Sequence, residues 1–100
     1  MLKKIYNEVT REWDTSVEEA LKSFIRLPAL SPDFDKKWEE NGVLLKALEE
    51  AKAWAEKQGI KGLRCEIIKD DGFTPCLFIE VDATSDKKFE RSVFFYGHLD

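Results

Sequence analysis

The residues of this chain best equipped for chemistry stand together at positions 97–100, Gly97-His98-Leu99-Asp100, directly after the apolar run Val93-Phe94-Phe95-Tyr96. His98 is the only histidine in the sequence. An imidazole that ligates a metal turns one unprotonated nitrogen toward the ion. Its other N–H commonly goes to a carboxylate, which fixes the tautomer and makes the ring a better ligand. His-Xaa-Asp has the spacing for that arrangement, because residues two apart in an extended chain point to the same side. His98 and Asp100 are therefore expected to face one cavity, with Leu99 turned away into the core. Gly97 would let a ligand or a neighbouring backbone approach closely. One histidine and one aspartate do not complete a zinc site, which takes three or four protein ligands. If His98 is a ligand, its partners lie outside these residues; the plainer reading is a hydrogen-bonded structural histidine.

The other reactive side chains are Cys65 and Cys76. Between them, Asp71-Gly72 is a strong hairpin signal. A turn centred there sets Lys69 opposite Thr74, Ile67 opposite Cys76 and Cys65 opposite Phe78. The two thiols would then share a face only as diagonal neighbours, roughly 7–8 Å apart, farther than a disulfide usually allows. Buried free thiols, in a reducing compartment, are the expectation.

Several elements must position the carboxyl-terminal residues. Leu2, Ile5, Tyr6, Val9, Trp13, Val17, Ala20, Leu21 and Phe24 step by three or four, which predicts one long amphipathic helix over the first 26 residues. Within it, Thr15 with Glu18 or Ser16 with Glu19 offers a capping box, so a kink is allowed there. Pro28 and Pro32 end the helix in a loop whose Leu27, Leu30 and Phe34 are too apolar for a flexible linker. A second helix is expected over Lys36 to Gln58, burying Leu44, Ala47, Leu48, Ala51, Trp54 and Ala55 and stopping at Gly59. Its lysines and glutamates form a solvated face. Three strands follow, at Leu63–Ile68, Cys76–Val81 and Ser92–Tyr96, with a polar surface loop between the last two. The third strand has no polar residue from Val93 to Tyr96, the mark of a strand covered on both faces. These elements predict an α/β fold, a mixed sheet flanked by helices. A strand running into Gly-His-Xaa-Asp places the motif where α/β proteins usually bind ligands, outside the carboxyl ends of strands.

Composition narrows the classes. A net charge of −4 argues against nucleic acid as a partner. No apolar stretch approaches a membrane span. Lys3 and Lys4 are followed by Glu8, Arg11 and Glu12 instead of a signal-peptide apolar region, which points to the cytoplasm. Gly59, Gly62 and Gly72 are too dispersed to form a phosphate-binding loop.

The order of these segments resembles a known family. "SFIRLPALSPDF" at 23–34, a long amphipathic helix, a hairpin and then "SVFFYGHLD" look like the beginning of the zinc-dependent hydrolases. That family includes acetylornithine deacetylase, succinyl-diaminopimelate desuccinylase, aminoacylase, carnosinase-type dipeptidases and glutamate carboxypeptidases. The turn after its first helix is matched by Leu27-Pro28-Ala29-Leu30-Ser31, with Ala29 where the family often has serine. Its first metal motif is matched by His98, Leu99 and Asp100. The resemblance implies that residues 1–100 are the N-terminal, incomplete portion of a zinc-peptidase catalytic domain. The rest of that domain and a lid domain would lie downstream. By the same resemblance His98 is a ligand of one ion of a two-zinc site, in which cobalt or manganese can replace zinc. Asp100 is the carboxylate behind it, counted among the catalytic residues. The third strand would lie parallel to the first, on the side away from the second.

The implied activity is hydrolysis of dipeptides or short peptides, because "FFYGHLD" and "TPCLFIEV" look closest to the dipeptidase and carboxypeptidase branch. Deacylation of N-acyl amino acids is the alternative within the family. The resemblance also implies a homodimer formed through the lid domain. From a different class comes a non-catalytic α/β module with a structural His98. Residues 1–100 alone are expected to lack hydrolytic activity and to expose a large aromatic surface prone to association.

Overall fold

The computed structural model describes residues 1–85 and 91–100. Helix α1 covers Leu2–Glu12, a π-helical turn covers Trp13–Val17, and α2 covers Glu18–Ile25. The three run on without a break, so the single long helix is as the sequence predicts. The π turn has a cause in the apolar spacing. Val9, Trp13 and Val17 follow one another by two successive steps of four, each overshooting the helical repeat by about 40° at 3.6 residues per turn. A wider i→i+5 turn takes up that excess. Neither proposed capping box forms, because no side chain caps the start of the π turn or of α2. The Thr15 hydroxyl instead donates to the Arg11 carbonyl, 2.7 Å away in the preceding turn.

The second helix is not the continuous one the pattern suggested. It divides into α3, Trp38–Asn41, and α4, Val43–Glu56. Gly42 stands between them in the left-handed region, at φ +67°, a conformation nearly free of cost only for glycine. Side chains close the break around it. The Asp35 carboxylate accepts the Lys37 N–H at 3.0 Å and the Asn41 amide at 2.7 Å, and the Asn41 carbonyl accepts the Val43 N–H at 3.0 Å. Periodicity alone reads through such a break, because Gly42 falls on the polar side of the stripe. At the far end α4 stops just before Gly59, as expected.

Strands β1, Leu63–Ile68, and β2, Cys76–Val81, form a two-stranded antiparallel sheet. Asp71-Gly72 does make the turn, closed by the Phe73 N–H on the Asp70 carbonyl at 3.1 Å. The register, however, differs by one residue from the expected one. Ile68 pairs with Cys76, Ile67 with Leu77, Glu66 with Phe78 and Cys65 with Ile79. An odd number of residues, Lys69 to Pro75, separates the paired Ile68 and Cys76, where a turn centred on Asp71-Gly72 would leave an even number. A slip of one exchanges the two faces of a strand. Cys65 and Cys76 consequently point to opposite faces instead of sharing one. Both are free, but Cys65 is half-buried and Cys76 exposed, so neither is the buried thiol anticipated.

Helix α4 packs against β1 and β2, and α2 packs against α4. Leu63, Cys65 and Ile67 alternate as the half-buried residues of β1, with Leu77 beside Ile67 on β2. The core centres on Ala47 and Leu48 of α4, the two buried apolar side chains among the described residues. Trp54, expected in the buried stripe, is exposed. Among the described helices and strands, α1 contacts the π turn that follows it and no other, and its apolar stripe is exposed. The radius of gyration, 16.3 Å, exceeds the roughly 13 Å of a compact 100-residue domain.

The largest departure concerns Ser92–Tyr96. No strand forms there; residues 91–100 carry no regular secondary structure. Val93, Phe94, Phe95 and Tyr96 are 79–88% exposed, the reverse of a strand covered on both faces. Burial of such a run needs a neighbouring strand for its backbone groups and a layer over each face. The described residues supply neither, since the sheet has two strands. The fold is thus α/β in content, with an antiparallel hairpin in place of the mixed sheet. Residues 86–90, part of the expected surface loop, lie outside the described residues. Among the described residues, no helix is long and apolar enough to cross a membrane.

Candidate functional site

Residues 96–100 lie along a hollow of about 500 Å³, within the size range of small-ligand pockets. Its walls come from three places that the fold brings together. The loop after α2 contributes Ser31, Pro32 and Asp33, α4 contributes Leu44 and Leu48, and the start of β2 contributes Thr74 to Leu77. The hairpin lies on α4, and the proline-bounded loop crosses beside it. The apolar floor is therefore continuous with the core at Leu48.

His98 and Asp100 both line this hollow, as the i, i+2 spacing predicts. The His98 Nδ1 and the Asp100 Oδ1 are 3.1 Å apart. An ionised carboxylate only accepts hydrogen bonds, so Nδ1 carries the proton in this pair. The Asp100 side chain is 25% exposed and that of His98 67%, so the carboxylate sits deeper and the ring points outward.

One expectation for a neighbouring residue does not hold. Leu99 does not turn into the core; it lines the same hollow and is 38% exposed. Gly97 has open space where a side chain would stand, with no protein atom of the described residues within 4 Å.

Tyr96 joins the site, which its place in the apolar run does not suggest. Its hydroxyl lies 2.9 Å from the His98 Nε2, and the two rings meet edge to face with centroids 5.4 Å apart. In the neutral ring with Nδ1 protonated, Nε2 accepts this bond from the hydroxyl. The signal was available: positions 96, 98 and 100 are one period-two series, and all three carry polar groups. As the last residue of an apolar run, Tyr96 reads from the sequence as part of a buried strand, which hides the use of its hydroxyl.

The fit to a metal is partial. His98 with Asp100 behind it matches one ligand and the carboxylate that orients it. Among the described residues, no three His, Cys, Asp or Glu side chains form a group that could hold an ion. Cys76 and Asp33 line the hollow without completing such a group. A zinc site needs three or four protein ligands, so these residues do not make one by themselves.

Away from the hollow, Arg64 on β1 reaches Asp82 at 2.8 Å and Glu80 at 3.2 Å. Hydrogen bonding and charge attraction from Asp82, then from Glu80, raise the Arg64 pKa above the ordinary arginine value. This fork ties β1 to the end of β2 and has no part in the hollow. A scan against protein-family models finds no match to this chain, and a search of curated proteins finds none either.

Proposed function

We propose that this chain is the N-terminal portion of the catalytic domain of a metal-dependent hydrolase acting on dipeptides or short peptides. His98 is its metal ligand and Asp100 the residue that positions it. The observation that carries this reading is the 3.1 Å contact between the His98 Nδ1 and Asp100. That contact assigns the ring's remaining lone pair to Nε2, the nitrogen a metal-ligating imidazole would present. The hollow beside it has apolar walls and a few polar groups, a setting suited to a small amide. Zinc is the expected metal, two ions in a complete site, with cobalt or manganese as substitutes. The remaining ligands and the proton-transferring group come from residues other than these 100, in a cytoplasmic enzyme that dimerises through a lid domain. Deacylation of N-acyl amino acids uses the same groups and is the alternative substrate class.

The reading is tested in a polypeptide that carries the remaining ligands. Bound metal and turnover of dipeptides and N-acyl amino acids are measured before and after His98→Ala. Joint loss of metal and turnover supports the proposal. Full activity in His98→Ala removes it and favours a non-catalytic module with a structural histidine. The hydrogen bonds at both ring nitrogens of His98 suit that second reading.

A further inference from the structure

We infer that the apolar stripe of α1 is a docking surface for a second copy of this chain, the two α1 helices lying antiparallel across a two-fold axis. Leu2, Ile5, Tyr6, Val9 and Trp13 form the stripe and are 44–84% exposed. Among the described helices and strands, only the π turn contacts α1. A contiguous apolar face of this kind marks an interaction surface. The inference is independent of His98 and of the hollow.

Charge selects the occupant. The Met1 amino group, Lys3 and Lys4 make the start of α1 positive, with no acid before Glu8. Glu8, Glu12 and Asp14 make the far end negative. Arg11 pairs with Glu8 and Glu12, whereas Lys3 and Asp14 make no ion pair among the described residues. Positions 3 and 14 are about three helical turns apart, so they sit on one flank of the stripe, at its two ends. That separation, about 16 Å along the axis, is too long for them to meet within one chain. A two-fold axis beside the middle of α1, near Glu8 and Val9, sets this flank of one helix against the same flank of the other. Lys3 of each copy then faces Asp14 of the other. Leu2 approaches the second copy's Trp13, and Tyr6 and Val9 meet across the axis. The surface is self-complementary, as a two-fold contact requires. The helix dipoles also lie favourably, positive end beside negative. A parallel pair would instead gather both amino groups and four lysines at one end.

The experiment is sedimentation equilibrium of the 100-residue chain at low salt, for the wild type, Lys3→Glu, Asp14→Lys, an equimolar mixture of these two, and the double variant. Wild type should dimerise reversibly. Each single variant sets like charges opposite each other twice and should weaken the dimer by roughly 3- to 30-fold, the range for two exposed ion pairs. The mixture and the double variant each restore two opposite-charge pairs and should recover the affinity. A glutamate in the first turn suits the helix dipole, so weakening in Lys3→Glu is not a loss of helix; circular dichroism checks this. Val9→Ser, near the axis, should weaken the dimer as well. A wild type that stays monomeric at millimolar concentration overturns the inference and leaves the stripe to a different partner. Unchanged affinity in the single variants, or no recovery in the mixture, overturns it too. So does association abolished by Phe94→Ser, Phe95→Ser but indifferent to Lys3→Glu, which would place the contact at the exposed 93–96 run.

Discussion

Cys65 and Cys76 project from opposite faces of the β1–β2 hairpin, Cys65 opposite Ile79 toward α4 and Cys76 opposite Ile68 toward solvent. An intramolecular disulfide would need the chain to cross its own sheet. Mild oxidation should therefore give disulfide-linked dimers through Cys76 and no 65–76 bridge. A thiol reagent should modify Cys76 well before Cys65. Mass spectrometry of the digested, alkylated chain reads both; a Cys65–Cys76 cross-linked peptide from the monomer would contradict the register.

Gly62 precedes β1 at φ +80°, and a methyl group added there would stand 3.0 Å from the Asp82 Cβ. Gly42 is also left-handed but has nothing within 4 Å of that position. Alanine at either site carries the backbone strain of about 1–2 kcal/mol. Only Gly62→Ala adds a clash with β2's end. Urea unfolding should show Gly62→Ala as the more destabilised of the two. Equal losses would mean that Asp82 moves aside freely.

Arg64 bridges Asp82 and Glu80 on the open face of the hairpin. Its raised pKa contributes stability that is complete below the ordinary arginine pKa and is lost only as pH rises through the raised one. Between pH 5 and 10, on the order of the range used for folding studies, Arg64 therefore contributes no pH slope. Arg64→Ala should lower the urea midpoint slightly at low salt and hardly at all at about 1 M salt, where exposed pairs are screened. A loss that persists in high salt would show that the arginine stem, not its charge, matters.

Phe94 and Phe95 are 79% and 88% exposed and belong to no helix or strand. A contiguous apolar run of this kind promotes association. The double variant Phe94→Ser, Phe95→Ser should reduce light scattering at high concentration and leave the far-ultraviolet circular dichroism unchanged. Loss of helix or sheet signal in that variant would reveal packing of the run against the hairpin.

On the proposed reading of His98 as a metal ligand, Asp100→Asn in a polypeptide that supplies the other ligands should keep the fold and weaken metal affinity or turnover by about 10- to 100-fold, the usual cost of losing a ligand's carboxylate partner. Metal analysis beside turnover decides it. An Asp100→Asn protein with unchanged affinity and rate would leave Asp100 without a positioning role.

Patterns read over short windows were legible in the sequence. The helix from Leu2 to Ile25, the stop before Gly59 and the Asp71-Gly72 turn follow from apolar spacing and glycine placement, which act within a few residues. The His98–Asp100 pairing belongs to the same kind, because a two-residue spacing in one segment brings the side chains together without help from elsewhere. What lay beyond the sequence depended on neighbours distant along the chain or on one extra residue. The register of β2 follows from the odd number of residues between Ile68 and Cys76, and with it the face each cysteine takes. The break at Gly42 is held by Asn41, whose side-chain carbonyl accepts the Val43 N–H across it while its amide is fixed by Asp35. The run Val93–Tyr96 has the composition of a central strand, but composition cannot supply the adjacent strand and covering layers that burial requires. Only the tertiary structure decides whether such partners are present, and here the run stays in solvent, its last residue bonded to His98.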